Sequence, residues 1–168
     1  MKANALPTAK ELNHLFTYDP TSPSSLRWNN PISRQMRRGD VAGAKNSDGY
    51  YQVSISCKRY RVHRIIYKMH HDTCIVDSVI DHVNRDRSDN KIDNLRRCTS
   101  AENQRNYGLL ERNTTGSAGV RKARHGKWHA SISVAGKRKH LGYYVKKSDA
   151  ISARKNAERE FYGEFAPN

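Results

Sequence analysis

The 168-residue chain lacks the features that mark several whole protein classes. It has only three cysteines, Cys57, Cys74 and Cys98, with no C-x-x-C pair among them. That spacing argues against a disulfide framework and offers no compact thiol set for zinc, so buried free thiols are the expectation. No apolar run is long enough to cross a bilayer, and the opening MKANALPTAKELNHLF lacks the charged-then-apolar build of a secretory leader. The sequence therefore predicts a soluble, cytoplasmic protein with no membrane partner. Only 36% of the residues are apolar, which limits any core to a modest size.

Acid is also scarce, with 16 Asp and Glu against 31 Lys and Arg, a net charge of +15. Such an excess repels itself unless a polyanion is close by. Nucleic acid is the partner class it implies, because phosphate contacts supply most sequence-independent affinity. The excess is uneven. Residues 1–112 hold 19 basic and 12 acidic side chains, a net +7, while residues 113–168 hold 12 and 4, a net +8 in half the length. Between Gly116 and Lys147 there are nine Lys or Arg and no Asp or Glu. The stretch RNTTGSAG (112–119) is small, polar and Gly-containing, as a hinge would be. The expected organisation is one domain over 1–112, a linker over 113–118 and a second domain over 119–168.

In the first part, TAKELNHLF (8–16) predicts a short helix with Leu12, Leu15 and Phe16 on one side. YDPTSPSS (18–25) is turn chemistry, and SLRW (25–28) a short strand. NSDGYYQVSISCKRYRV (46–62) reads as a β-hairpin, with one turn at Asp48-Gly49 and another near Lys58. VHRIIYKMHH places Val62, Ile65, Ile66 and Met69 on one helical face. Its histidines, His63, His70 and His71, are expected to be structural.

The chemistry concentrates in IDHVNRDRSDNKIDNLRR (80–97). SVI leads in as a strand that ends at Asp81 and His82. NRDRSDN is a loop, and KIDNLRR a second extended piece with Ile92 and Leu95 facing inward. TSAE is a capping box that predicts a helix from Thr99 to about Tyr107, with Asn103 in its first turn. The order strand, loop, strand, helix is expected to bring Asp81 and His82 against Asn103. Phosphodiester hydrolysis suits that set. Carboxylate and amide oxygens ligate a hard divalent cation, and a neutral imidazole can take a proton from water near neutral pH.

Asp81-His82, Asn94-Leu95-Arg96 and Glu102-Asn103, in that order, resemble the HNH nuclease motif of the ββα-metal fold, in the variant found in phage and intron-associated homing endonucleases. Upstream, YDP, LRW, VAG, DGY and VHR resemble the leader of such proteins, so the likeness covers roughly residues 15–106. The resemblance implies His82 as general base and Asp81 and Asn103 as ligands of one divalent ion, Mg2+ or Mn2+. It implies Asn94 as a residue that ties the loop to the backbone. Arg96 and Arg97 are expected on the DNA. Asn103 stands where the name-giving pattern has a His, and its carbonyl oxygen suits magnesium or manganese better than zinc.

In the second part, KWHASISVAGKRKHLGYYV predicts two strands around a turn at Ala135-Gly136, with Trp128, Ala130, Ile132 and Val134 alternating with His129, Ser131 and Ser133. SDAISARKNAEREFYG predicts a helix capped by Ser148 and closed by Gly163, with Ala150, Ala153, Ala157 and Phe161 on one face. A three-stranded antiparallel sheet backed by this helix would expose Arg121, Arg124, Lys127, Arg138 and, beside them, Lys122 and His140. GVR, GKW, GKRKHLGYY and the Ala-rich helix ending in FYGEFA resemble the APETALA/ethylene-response-factor DNA-binding domain. That resemblance implies Arg121, Lys127 and Arg138 as DNA contacts, while Ser131, Ser133 and His140 depart from the plant pattern. The expectation is an α+β, two-domain DNA endonuclease of homing type, phage or mobile-element encoded, acting on double-stranded DNA in the host cytoplasm. It would work as a monomer or homodimer and would nick one strand or break both. The alternatives are a DNA-binding regulator with an inert nuclease module and an RNA-binding sheet.

Overall fold

Helix α1 (Ala9–Leu15) begins where Thr8 and Glu11 satisfy each other's backbone N–H groups, at 3.2 and 2.8 Å. Phe16 does not continue it. Its backbone is extended and opens strand β1 (Phe16–Tyr18), which pairs antiparallel with β2 (Leu26–Trp28). The turn between them is tied by the Asp19 carboxylate, which accepts from Thr21 and from Arg27. These details belong to a computed structural model that describes residues 4–72, 78–105 and 113–166. Across those residues the chain is mixed α and β, and every sheet is small and antiparallel. Clustering of contacts divides it into two units, residues 1–100 and 101–168.

In the first unit, β3 (Ala44–Lys45), β4 (Tyr51–Ile55) and β5 (Lys58–Arg61) form a three-stranded sheet. The Asn46 side chain closes the first turn by accepting from the N–H groups of Asp48 and Tyr50. The second turn falls at Ser56-Cys57, one residue before the position expected from Lys58, with both residues at positive φ. Cys57 is accordingly an exposed thiol rather than a buried one, whereas Cys98 is buried. Cys74 lies outside the described residues. Helix α2 (Val62–His71) follows directly, with Val62, Ile65 and Ile66 fully buried against Leu12, Phe16, Leu26 and Trp28. Each such aliphatic side chain contributes ~1.5–3 kcal/mol by leaving water, so this cluster is what holds the unit together.

Two strands, β6 (Val79–His82) and β7 (Leu95–Cys98), pair antiparallel and are followed in the chain by helix α3 (Ser100–Arg105). Residues 92–94 are not extended as expected. They form a single 3-10 turn before β7 begins, and Ile92 packs only partly buried against the core. The helix expected to reach Tyr107 is described as far as Arg105.

The second unit contains β8 (Val120–Lys122), β9 (Trp128–Val134) and β10 (Lys137–Tyr144), in the order β10-β9-β8, and helix α4 (Lys147–Tyr162). The β9–β10 turn is Ala135-Gly136, both at positive φ. Ala130, Ile132, Ala150 and Ala157 are buried where sheet and helix meet, so small residues bring the two layers close. Ser148 does not cap α4. The helix starts at Lys147, and the Ser148 hydroxyl donates to Asp149. Gly163 ends the helix at positive φ, as its position predicts. Gly119 has a stricter role. A Cβ there would lie 2.2 Å from the Ser131 carbonyl oxygen and 2.7 Å from Arg154 Nη1. Arg154 itself is buried, ion-paired with Glu158 at 2.8 Å and donating to that same carbonyl. Among the described residues, no helix is long and apolar enough to cross a membrane.

Candidate active site

Strand pairing sets the first contact of the site. In the β6–β7 register Asp81 lies opposite Arg96 and His82 opposite Leu95. Directly opposite residues project to one face. The Asp81 carboxylate accordingly accepts from Arg96 Nε at 3.1 Å and Nη2 at 2.9 Å, with both side chains largely shielded from water. Arg96, expected on the DNA, is therefore turned onto Asp81. Arg97 is exposed, and its Nε donates to the Ser78 hydroxyl at 2.7 Å.

The loop between the strands is held by its own short polar side chains. Asn94 is at its centre, accepting from the Asn84 N–H at 3.0 Å and donating to the Asn84 side chain at 3.0 Å and the Asp89 carbonyl at 2.8 Å. Asp86 accepts from the N–H and hydroxyl of Ser88, which lowers its carboxyl pKa. Such side-chain-to-backbone bonds let an Asn- and Asp-rich loop keep one shape without regular structure.

Asn90 is the residue that sequence reasoning left without a role. It is fully buried. Its Nδ2 donates to the Ser24 carbonyl at 3.2 Å, and its Oδ1 lies 3.1 Å from His82 Nε2. The Ser24 carbonyl can only accept, so the amide nitrogen must face it and the amide oxygen must face His82. His82 Nε2 then carries the proton, and the ring's lone pair resides on Nδ1. Local sequence holds no signal for this, since Ser24 and Asn90 are 66 residues apart.

His82 is also walled by rings. His63, buried in the first turn of α2, sits edge-to-face with it at 4.8 Å between centroids, and Tyr50 lies 5.4 Å from His63 and 6.0 Å from His82. Burial lowers the His82 pKa, opposed by the Asn90 hydrogen bond and by the charges of Asp81, Asp86 and Asp89. Burial holds His63 well below the ordinary 6.5, aided by the positive charges of Arg61 and Arg64 and by His82. His63 Nδ1 is buried with no hydrogen-bond partner among the described residues. Burial thus disfavours the charged form of both rings, and a general base has to be uncharged to accept a proton.

Among the described residues, no group of three or more His, Cys, Asp and Glu side chains is arranged to hold a metal ion. What β6 supplies is one carboxylate, Asp81. A hard cation such as Mg2+ commonly takes one or two protein oxygens and fills its remaining positions with water and phosphate. Asn103 lies on α3, in the second unit, and is half-buried.

The second unit presents a different surface. Ala130 and Ile132 face the helix, so the intervening His129, Ser131 and Ser133 face away from it. Register places Arg121 and Tyr143 beside His129, His140 beside Ser131, and Arg138 beside Ser133. Arg121 and Arg138 are exposed there, and Arg124 and Lys127 are exposed in the β8–β9 turn. Lys122 shares its register position with Trp128, which packs on the helix side. An aromatic cluster that sequence reasoning did not assemble occupies the middle of the face. His140 Nδ1 and His129 Nε2 are 2.9 Å apart, and Tyr143 touches the rings of His125, His129 and His140. Burial, with Arg121, His140 and Arg138 nearby, lowers the His129 pKa.

The sequence model of the HNH endonuclease family matches residues 60–105, from the end of β5 through α3. This supports an HNH nuclease domain in that stretch, with a fold of ββα-metal type and DNA as the substrate it implies. No curated protein and no solved structure matches the chain.

Proposed function

We propose that the protein is a metal-dependent DNA endonuclease of homing type, with the nuclease site built around His82 and the second unit holding the enzyme on duplex DNA. The observation that carries this reading is the placement of His82. It is buried, has Nε2 3.1 Å from the Asn90 amide oxygen, and lies on the strand that also supplies Asp81, within the stretch matched by the HNH endonuclease model. His82 Nδ1 takes a proton from the attacking water as its oxygen adds to phosphorus and the 3′ oxygen departs. Asp81 would hold one divalent cation, Mg2+ or Mn2+, with Asn103 as the second ligand implied by the motif. When bound, such an ion stabilises charge on the phosphate and on the departing oxygen. Arg96 positions the Asp81 carboxylate, and Asn94 fixes the loop that delivers Asn90. In the second unit Arg121, Arg124, Lys127 and Arg138 would contact phosphates or guanine edges of the duplex. Tethering then raises the local concentration of the nuclease unit.

The test is nicking of supercoiled DNA with Mg2+, with Mn2+ and with chelator. His82→Ala is expected to slow cleavage by roughly 10²–10⁴-fold with DNA affinity retained, and chelator to abolish cleavage. Arg138→Ala is expected to weaken binding and to flatten its salt dependence by about one phosphate's worth, with the single-turnover rate at saturating DNA unchanged. Equal cleavage by His82→Ala removes the base assignment. Tight duplex binding without cleavage under any of the metals points to a DNA-binding regulator instead.

A further inference from the structure

Tyr50 neighbours both the His82 imidazole and two guanidinium groups. Its ring centroid is 6.0 Å from that of His82, 4.0 Å from Arg61 Cζ and 5.1 Å from Arg87 Cζ. The three residues come from separate segments. Tyr50 leads into β4, Arg61 ends β5 and Arg87 lies in the loop between β6 and β7. Both arginines are exposed, and neither forms an ion pair with a carboxylate among the described residues. Arg87 is additionally fixed by donating Nη1 to the Asp48 carbonyl at 3.1 Å.

Electrostatics alone does not favour this arrangement. Two guanidinium groups held 4.0 and 5.1 Å from the centroid of one ring carry like charges that repel each other. Attraction to the electron-rich ring face offsets that repulsion. The ring also fixes where the cations sit. A guanidinium presents its N–H groups in its own plane, in the fork that matches two phosphate oxygens. The contrast with Arg96 is informative, since that guanidinium is committed to Asp81 inside the site.

We propose that Arg61 and Arg87, carried on Tyr50, form a clamp for a backbone phosphate of the DNA strand presented to His82. The ligand is a nucleic-acid phosphodiester, and the proposal rests on the nuclease reading above. The clamp supplies the fixed positive charge beside the reacting centre that Arg96, paired with Asp81, is not placed to give. It binds and orients the strand, and it takes no part in proton transfer.

The experiment measures full-length His82→Ala protein, expected to hold DNA without cutting it, binding a short duplex of arbitrary sequence across a range of KCl. The same measurement is made with Arg61→Gln and Arg87→Gln added. Each phosphate contact contributes about 0.9 to the slope of log affinity against log salt, so the double substitution is expected to flatten that slope by about 1–2. In the cleaving background, the same pair is expected to raise the DNA concentration for half-maximal rate ~10-fold while the saturated single-turnover rate changes less than ~3-fold. Tyr50→Leu should move both readouts in the same direction, and Tyr50→Phe, which keeps the ring, should not. If Arg61→Gln prevents folding, Arg87→Gln alone, in an exposed loop, should flatten the slope by about 1. An unchanged slope in a folded variant overturns the clamp. Failure of the wild-type protein to cleave rejects the nuclease reading separately, and the slopes still decide whether these arginines touch phosphate.

Discussion

The two units shield different polar groups from water around cores of different make-up. The first buries His63, His82, Asn90 and Ser24 around a large aliphatic and aromatic core. Its shielded ion pair, Asp81–Arg96, sits at the edge of the proposed chemistry. The second has a core of alanines and a few larger side chains, buries the Arg154–Glu158 pair at the seam of helix and sheet as well as His129 and Ser131, and, among the described residues, leaves its other Lys and Arg side chains exposed. Proton transfer requires neutral groups of fixed orientation, which burial and hydrogen bonding provide. Binding a polyanion requires fixed exposed charge, which a thin sheet-and-helix scaffold provides without a large core. On the proposed reading, one chain separates the two demands.

The largest way to break this contrast is in the second unit. Arg154 links α4 to β9 through the Ser131 carbonyl and is neutralised by Glu158 one turn along the helix. Glu158→Ala leaves that guanidinium buried without its carboxylate, which costs about 3–5 kcal/mol in comparable sites. The expected outcome is loss of hydrogen-exchange protection in β9 and α4, with protection of α2 and β4 unchanged. Equal loss in both units would mean that they do not unfold independently.

A stability loss of comparable size is expected in the first unit from Asn90→Ala. The substitution leaves the Ser24 carbonyl and His82 Nε2 without the partner Asn90 provides, which costs about 1–3 kcal/mol for each unsatisfied group. Cleavage should fall further than the stability loss explains, because the imidazole is no longer held in one tautomer, and DNA affinity should be unchanged. Asn90→Asp sharpens the point. It keeps an acceptor for His82 but turns an acceptor toward the Ser24 carbonyl, so it should recover more activity than stability.

How much of this was legible in the sequence depended on whether the determinant was local. The apolar spacing of Val62, Ile65 and Ile66 marks α2 because helical periodicity needs only neighbours. The alternation from Trp128 to Val134 marks β9 for the same reason, and Thr8 and Glu11 form a capping box as readable as TSAE. Strand pairing is not local. Arg96 looks like a cation for DNA until β6 and β7 align it with Asp81. Asn90 looks like one more loop asparagine until the fold brings Ser24 beneath it. The 3-10 turn at 92–94 defeats periodicity because Ile92 and Leu95, three apart, fit an extended piece and a tight turn equally well. Tyr50, Arg61 and Arg87 converge from segments that share no motif.

The smallest expected effect concerns pH, and it returns to the buried imidazoles. His63 in the folded protein has a pKa well below its ordinary 6.5, chiefly because burial disfavours the charged ring. The unfolded chain protonates it near that ordinary value. Above about pH 6.5 neither state holds the proton, and the native state keeps its full stability. Below it the unfolded state binds a proton that the folded state refuses, so stability falls as pH drops, at a slope approaching ~1.4 kcal/mol per pH unit for one histidine. His82, lowered in the same direction, adds to that slope. Denaturant unfolding of the first unit, followed from about pH 7.5 to 5.5, should therefore show a progressive loss that His63→Gln reduces. A profile as steep in His63→Gln as in the wild type would place the pH sensitivity elsewhere. His129, on the open face of the second sheet, would then be the next histidine to substitute, since burial lowers its pKa as well.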